Sequence, residues 1–552
     1  MKPFKKFVSL LLLATLFFAA ACTGGGGSPA SSGGDDVQPE STEARSPYYV
    51  ADIELSLWCS MDGKGFDNIS SFADIWCYQE MERLTGVKIK WLHPPVGQEE
   101  EQFNLIVGSG DYPDLMYFGI NENYPGGALK AVRDNVIIDL TAYMTPEKSP
   151  HISALYDRFP LYKKSAMTDE GVFYMYARVD GYTLIPEYDY FCIYNGFQYR
   201  IDWAEELGIA PPDTMDEWHD LLVAFRDNSP NGEGNTVLPL VAQRNLNNWM
   251  APFGILNEFF MDNGKISYMT LSPKYRTYVE TMSNWFSEGL IDRDYLATDG
   301  TMFKNKIVSN QGGVIIGGIG GNFGGITQAF MDEYGDKVVW GATSWPVSTD
   351  GSGNRYHFNT APSTYEMGFG LVIFSKNKYK DESAKWCDMN FAPDIIEMMN
   401  FGEKGVSYDK DANGNIFIVP EFKEKMMAAS DANTVICEIA QAAMNDWGTM
   451  IHPEFYVIQW VIPGQFEAAV AWNKNRCDDL LIPLITLTAE EGTRNAEIMS
   501  QVRTYEEEVR NKIIMGEMGI ESLDGMIANI DKMGIDESVA FYNAALTRFN
   551  NR

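Results

Sequence analysis

Residues Gly108–Phe118 read GSGDYPDLMYF, a polar turn that runs into a short apolar strand. Upstream, Ala51–Trp58 (ADIELSLW) alternates as a first strand. Asp67–Thr85 reads as a helix closed by Gly86, Val87–Leu92 (VKIKWL) as a second strand, and Gln98–Val107 as a helix. Strand, helix, strand, helix, strand in this order implies a parallel α/β sheet, because parallel neighbours need crossover connections. Further along, Thr214–Asp227 reads as a helix. Pro211 and Pro212 enforce its start, Thr214 and Glu217 form a capping box, and Leu221, Leu222 and Phe225 supply an apolar face. Ser272–Glu288 is a second such helix, closed by Gly289. Lys376–Met399 is helical with a break near Pro393, and the tail from Thr486 to Phe549 is mostly helical and charged. No repeat of constant period is present.

The 552 residues are 45% hydrophobic and 13% aromatic, enough for substantial cores, so bulk disorder is excluded. The net charge is −33, from 43 basic and 76 acidic residues. Nucleic acid is not an expected partner: phosphates are repelled by such a chain unless it concentrates a basic patch. Its densest basic groups are Lys2, Lys5 and Lys6 and the Lys423–Lys425 neighbourhood.

Three lysines precede an uncharged run from Phe7 to Ala21, and three alanines precede Cys22. This is the pattern of a secretory signal peptide over residues 1–21, too short to span a bilayer. Ala19-Ala20-Ala21-Cys22 resembles a bacterial lipobox, which implies a lipidated Cys22 as the mature N-terminus. Residues 22–47 continue as a Gly-, Ser-, Pro-rich and acidic tether unable to bury apolar area. Lipid, tether and globular body together give an exported protein anchored to the outer face of the bacterial cell membrane, with the lipid as its only membrane hold. Losing Lys2, Lys5 and Lys6 with the signal takes the charge to −36. Cys59, Cys77, Cys192, Cys387, Cys437 and Cys477 are scattered and form no CxxC pair. Buried free thiols, or a disulfide or two that sequence does not pair, both fit an exported chain.

Four segments, in order, resemble the family 1 extracellular solute-binding proteins, the lipoproteins that feed sugar ABC transporters. Gly110-Asp111-Tyr112-Pro113-Asp114-Leu115 is similar to that family's G-D-x-P-D-[ILV] turn. Gly171–Tyr176 is similar to its D-G-K-x-Y-x-x-P segment, with Val172 for Lys and no Pro. Tyr199–Gly208 (YRIDWAEELG) with Pro211–Thr214 is similar to its R-x-D-W-L-x-x-L-G…P-x-T stretch. Asn400–Val419 (NFGEKGVSYDKDANGNIFIV) is similar to a segment of the large, oligosaccharide-type members. The resemblance spans roughly residues 50–550. It implies an α/β, periplasmic-binding-protein-like fold: two lobes of parallel-type sheet flanked by helices, with a hinge and an interlobe cleft. Residues 48–188 plus 368–435 would form lobe 1, and 195–362 plus 436–552 lobe 2. Tyr188–Asn195 and Pro362–Gly368 are the hinge candidates. The implied function is capture of a carbohydrate, an oligosaccharide, and its delivery to ABC permease subunits by hinge closure, with no catalysis and no cofactor.

Sugars offer an apolar C–H face to aromatic rings and a rim of hydroxyls to carboxylates, amides and Arg. Candidate contacts follow strand ends. Trp58 and Asp62 follow the first strand, and Phe118, Asn121 and Glu122 follow the third, with Tyr124 nearby. Trp249 closes the cluster Asn247-Asn248-Trp249, Trp345 follows the strand at Val338–Ala342, and Tyr365 and Glu366 lie at the hinge. For each ring, packing in a core is the alternative. Trp58, Phe118 and Trp249 are expected to line one cleft. Gly312–Gly325 (GGVIIGGIGGNFGG) places its third Gly one residue late for GxGxxG and lacks the spaced acid of a dinucleotide site. The resemblance makes it a strand, Gly313–Ile316, opening onto the cleft, with Asn322 and Phe323 as contacts.

No metal is expected. Large family members carry a calcium loop after the Thr214-type helix, but at Ser229–Pro239 Ser229 replaces the leading Asp, and Val237 and Leu238 replace late acids. Asp409, Asp411 and Asn413 begin like an EF-hand loop, but Pro420 stands where the bidentate Glu belongs, so a tight turn is expected. Two further functional classes stay open: a secreted glycosidase or lyase, and a surface glycan-binding adhesin. The five isolated histidines form no HExxH, no GxSxG occurs, and Ser375–Lys378 matches SxxK without its partner motifs.

Overall fold

Strand β1 (Ile53–Cys59) is the hub of a five-stranded sheet, with β2 (Val87–Leu92) parallel on one side and β3 (Leu115–Phe118) parallel on the other. In the same sheet lies β4 (Tyr176–Ala177). The second sheet holds β5 (Asn195–Arg200), β6 (Leu238–Leu240), β7 (Gly312–Gly318) and β8 (Trp340–Ala342) in the order β8-β5-β7-β6. Strand β9 (Gly370–Ile373), which follows the second sheet in the chain, returns to the first sheet, giving the order β2-β1-β3-β9-β4. These come from a computed structural model that describes residues 45–61, 69–180, 193–232, 234–335, 339–358, 368–429, 432–440, 450–452, 454, 460, 462–483 and 485–552. The signal peptide, Cys22 and most of the tether lie outside them, as do Asp62, Cys192, Tyr365 and Glu366. Among the described residues no helix is long and apolar enough to cross a membrane.

Both sheets are mixed rather than parallel throughout. β9 runs antiparallel to β3 and β4, and β5 runs antiparallel to β7 and β8. The parallel pairs are β1 with β2 and β3, and β6 with β7. Each sheet packs its own core. Leu55, Leu57, Met116, Leu371 and Trp386 belong to the first, and Phe197, Trp218, Trp285 and Trp340 to the second. Phe401, Tyr408, Phe422 and Ile451 form a small third cluster. Cys437 and Met450, assigned from the sequence to the second lobe, pack in the first core.

Several sequence motifs are staples of this fold. The Asp114 carboxylate accepts both the N–H and the hydroxyl of Ser56 at 2.8 Å, which pins the GDYPD turn to β1. Arg200 donates to both oxygens of Asp202 at 2.7 and 2.6 Å, and its guanidinium lies 4.4 Å from the Trp203 ring centroid. The helix Met215–Asn228 starts with the expected capping box of Thr214 and Glu217. The helix read over Asp67–Thr85 is shorter, Trp76–Thr85. Ser71 and Asp74 make their own capping box around a single turn, Phe72–Asp74, and Ile75 is extended, so the chain restarts there. Lys376–Met399 resolves into Lys380–Met389 and Pro393–Phe401, and the charged tail into Ala489–Ile514, Ser522–Met533 and Ile535–Asn551. Cys59, Cys387 and Cys477 are free thiols, and burial pushes the Cys59 and Cys387 thiols far up, which leaves them unreactive.

Gly196 in β5 has the Trp472 indole against it. A Cβ there would sit 2.3 Å from a ring carbon, and the same indole donates to the Phe197 carbonyl at 3.1 Å. Gly196→Ala is therefore expected to cost about 1–3 kcal/mol through overpacking, read as a lower urea midpoint at unchanged slope.

His452 abuts the third cluster, its ring against Phe401 at a centroid distance of 5.0 Å, and its Nδ1 accepts the Glu454 N–H. Burial lowers the imidazole to about 4, against a raising effect of Glu454. The folded group binds its proton less readily than the unfolded one. Its contribution is therefore full above the unfolded value of about 6.5 and is lost as pH falls towards 4. Between pH 7 and 4 the wild type is expected to lose roughly 3 kcal/mol more than His452→Phe in parallel denaturation series.

Candidate functional site

Two recesses open at the carboxyl edges of the parallel strand pairs, where loops rather than sheet form the walls. The first encloses about 800 Å³ beyond the end of β3. Asn121 and Glu122 sit there on a short helical turn, Ile120–Asn123, and Gly368 leads into β9 beside Glu122. The opposite wall is Ile485–Thr488, Glu490 and Arg548, from the C-terminal helices that pack on the second core and the segment leading into them. The first recess is thus lined by segments attached to both cores.

Its charges are largely paired. Arg133 holds Glu170 at 2.6 Å, and Lys130 and the Tyr124 hydroxyl hold Asp134. Asp169 accepts from Arg548 at 2.6 Å and from Arg552, which is only 1% exposed. Arg552 also donates to the Met167 and Lys164 carbonyls, and Arg548 reaches on to Glu491 at 2.6 Å. Burial pushes Glu491 up, but Arg548 and the Thr488 N–H outweigh it and hold the carboxyl below its usual range. Among the described residues no cation pairs with Glu122, and partial desolvation raises its carboxyl. The Asn121 side-chain oxygen accepts the Ala128 N–H at 3.3 Å, which fixes the loop and leaves the amide N–H groups for a ligand.

The second recess, about 370 Å³, lies beyond β6 and β7 and is lined by Leu240–Leu246, Asn248, Trp249, Phe303, Ile316 and Asn322. Asn322 folds back so that its oxygen accepts the Gly318 N–H at 2.9 Å. A Cβ on Gly317 would strike that side chain at 2.7 Å, so this glycine makes room for Asn322 rather than for a ligand.

The sequence-derived candidates divide between these places. Asn121 and Glu122 line the first recess, and Trp249 and Asn322 line the second. Trp58 and Phe118 are 4% and 7% exposed and pack edge to face at 5.3 Å inside the first core. Trp249, 2% exposed, is ringed by Phe197, Trp218 and Trp285 in the second core. The fold therefore does not bring Trp58, Phe118 and Trp249 to one cleft; their ring faces are covered by neighbouring aromatics. Phe323 is buried near Gly464 and Trp472, and Trp345 is buried against Phe197 and Phe358. Sequence reasoning passed over Gln243, Arg244, Asp169 and Arg548. The polar run before Trp249 was a signal for the first two, but nothing local marked the others.

Among the described residues no group of three potential metal-ligating side chains occurs. In the Ser229–Pro239 loop the Asn231 amide donates to the Thr236 and Asn310 carbonyls, and the Asn235 amide donates to the Asn231 carbonyl. These carbonyl oxygens are engaged by amide donors. At Asp409–Asn415 the Asp411 carboxylate gathers the N–H groups of Asn413 and Asn415 into a tight turn between two short strands.

Two mixed sheets flanked by helices, each with a recess at its parallel edge, define a periplasmic-binding-protein fold. Residues 73–393 match the family described as bacterial extracellular solute-binding protein, and the chain belongs to it. The family is one of binding proteins, not enzymes. The lipoprotein LipO of Bacillus subtilis is 23% identical over 343 residues, 60% of this chain and 63% of LipO, so the match spans just under two thirds of that protein. The fructooligosaccharide ABC transporter substrate-binding protein FusA of Streptococcus pneumoniae is 22% identical over 489 residues, 84% of this chain and 85% of FusA. Among solved structures, an HMO-binding, ABC-transporter-associated solute-binding protein from Bifidobacterium longum infantis superposes with a TM-score of 0.71 at 15% identity, covering 90% of this chain and 99% of that one.

Asp169 neutralises two arginines at once. Asp169→Ala leaves the buried Arg552 with carbonyls and a hydroxyl but no carboxylate. Its expected cost is roughly 3 kcal/mol of stability, measured by denaturant titration at fixed pH.

Proposed function

We propose that the chain is the carbohydrate-capturing subunit of an ABC importer, taking an oligosaccharide from outside the cell and presenting it to permease subunits. The observation that carries this reading is the first recess. Its volume lies in the range of small-molecule sites, and its walls come from segments attached to both cores. A ligand there touches both bodies at once, and closure is favoured only by contacts that differ between open and closed states. The names of FusA and of the Bifidobacterium protein agree in kind.

In this reading residues 48–188 with 368–435, and 195–362 with 436–552, move as two lobes about Tyr188–Asn195 and Pro362–Gly368. The packing of Cys437 and Met450 in the first core supports a second boundary later than 436. Asn121 and Glu122 hold hydroxyls. Cys22 carries the lipid that keeps the protein at the outer face of the membrane, as the name of LipO suggests.

The test is thermal unfolding of the purified protein with a panel of neutral and acidic oligosaccharides, followed by chromatography of the sugars. The expected outcome is a melting temperature that rises with the concentration of at least one oligosaccharide, which is recovered unchanged. Conversion of the sugar to product would overturn the reading.

A further inference from the structure

The recess beyond β6 and β7 has a wall of unusual charge. Its polar side chains are Gln243, Arg244, Asn245, Asn248 and Asn322: one guanidinium, four amides and no carboxylate. The chain around it carries 76 acids against 43 bases. Two acids on neighbouring segments are committed elsewhere. Asp292, whose N–H bonds the Leu240 carbonyl, is paired with Lys306. Asp299 caps the helix Gly300–Val308 by accepting the Met302 N–H at 2.8 Å.

Arg244 is held in this wall at a conformational cost. Its φ is +64°, in the left-handed region that bulky L residues avoid. It is the middle residue of a three-residue turn in which the Asn245 N–H donates to the Gln243 carbonyl at 2.8 Å. The Arg244 N–H is fixed to the carbonyl of buried Tyr295 at 2.7 Å. Such turns are rare and strained, and strain of this kind collects where a side chain must be aimed. The side chain is exposed, and no hydrogen-bond or ion-pair partner takes its guanidinium among the described residues. Asn248 likewise keeps its amide free, and Asn322 spends only its oxygen, on Gly318.

We propose that this recess is a subsite for an acidic sugar, a hexuronate residue whose carboxylate is taken by the Arg244 guanidinium and whose hydroxyls are taken by the Asn248 and Asn322 amides. The inference rests on the carbohydrate-binding reading and names the class of sugar. A guanidinium matches a carboxylate with two parallel N–H donors, a geometry that a neutral hydroxymethyl group does not satisfy. A wall rich in donors and free of carboxylates lacks the strong acceptors that bind neutral sugar hydroxyls. It suits an anion.

The test is isothermal titration of galacturonate, glucuronate and mannuronate trimers, and of the same trimers after carboxyl reduction, into the wild type, Arg244→Gln and Arg244→Gly. Arg244→Gly suits the left-handed backbone, so it keeps the fold while removing the charge. The expected result is that one uronate trimer binds about tenfold or more tighter than its reduced form. Both variants are expected to erase that preference while changing affinity for the reduced trimer less than about twofold. A wild type that binds the reduced trimers equally well, or variants that keep the preference, overturns the proposal. Binding of neutral sugars alone overturns it and leaves carbohydrate capture standing; binding of no sugar in this set or in the broader panel removes both.

Discussion

The antiparallel insertion of β9 between β3 and β4 is the contact on which the rest of the architecture hangs. Gly370 faces Phe118 on one side and Ala177 on the other, and a Cβ there would lie 2.7 Å from the Tyr176 carbonyl. Beyond the strand the stitching continues. The Phe374 N–H donates to Asp114, the Ser375 N–H to Val136, and the Ile138 N–H returns to Ile373. The first sheet therefore cannot be completed until the chain has built the second and come back. Non-local pairing of this kind pays its loop-closure entropy before it gains contacts. The same return places Gly368 beside Glu122, and so the pairing that closes the sheet also shapes the recess at its edge.

A second constraint comes from the C-terminal helices. Ala489–Ile514 buries Glu506 and Arg510 as a pair one turn apart, with the Tyr275 hydroxyl donating to the same carboxylate. Burial raises the Glu506 carboxyl even so, and a pair held this way fixes register more than it adds stability. The helix thus docks in one position on the second core. From there Ile535–Asn551 extends Arg548, and Arg552 follows just beyond it, to Asp169 at the mouth of the first recess. Packing energy and positioning reside in different parts of one element: apolar faces hold it to one core, and two guanidinium groups tie its end to the other.

Much of the fold was legible in the sequence because its signals are local. A capping box, a strand alternation and a polar turn depend on residues a few positions apart, as Thr214 with Glu217 and Gly108–Phe118 show. Short capping motifs also misled, since Ser71 and Asp74 close a separate turn inside what reads as one helix. Strand direction was less legible. β9 and β5 carry no mark of being antiparallel, because that is decided by where the chain enters the sheet. The site was legible only in part, for a related reason. Sequence identifies a ring at the end of a strand but not what covers its faces, and Trp58, Trp249 and Trp345 are each covered by aromatics distant along the chain. Asn121 and Glu122 were readable because the loop after a parallel strand is wall in any such fold. Asp169 and Arg548, 379 residues apart, meet only in three dimensions.

Net charge looks at first like a statement about cargo, and −33 for the chain reads against an anionic ligand. The local arrangement weakens that argument. At physiological ionic strength charges more than about 8 Å apart are largely screened, so a ligand feels the groups lining its recess, not the sum over the surface. In the first recess Asp134, Asp169 and Glu170 each face a cation, and Glu122 holds its proton more tightly than a free carboxylate. In the second, the polar wall is amides and one arginine. The excess acid lies elsewhere, where it keeps an exposed protein soluble. An acidic chain and a carboxylate-accepting recess are compatible because one is a property of the whole surface and the other of a single strained loop.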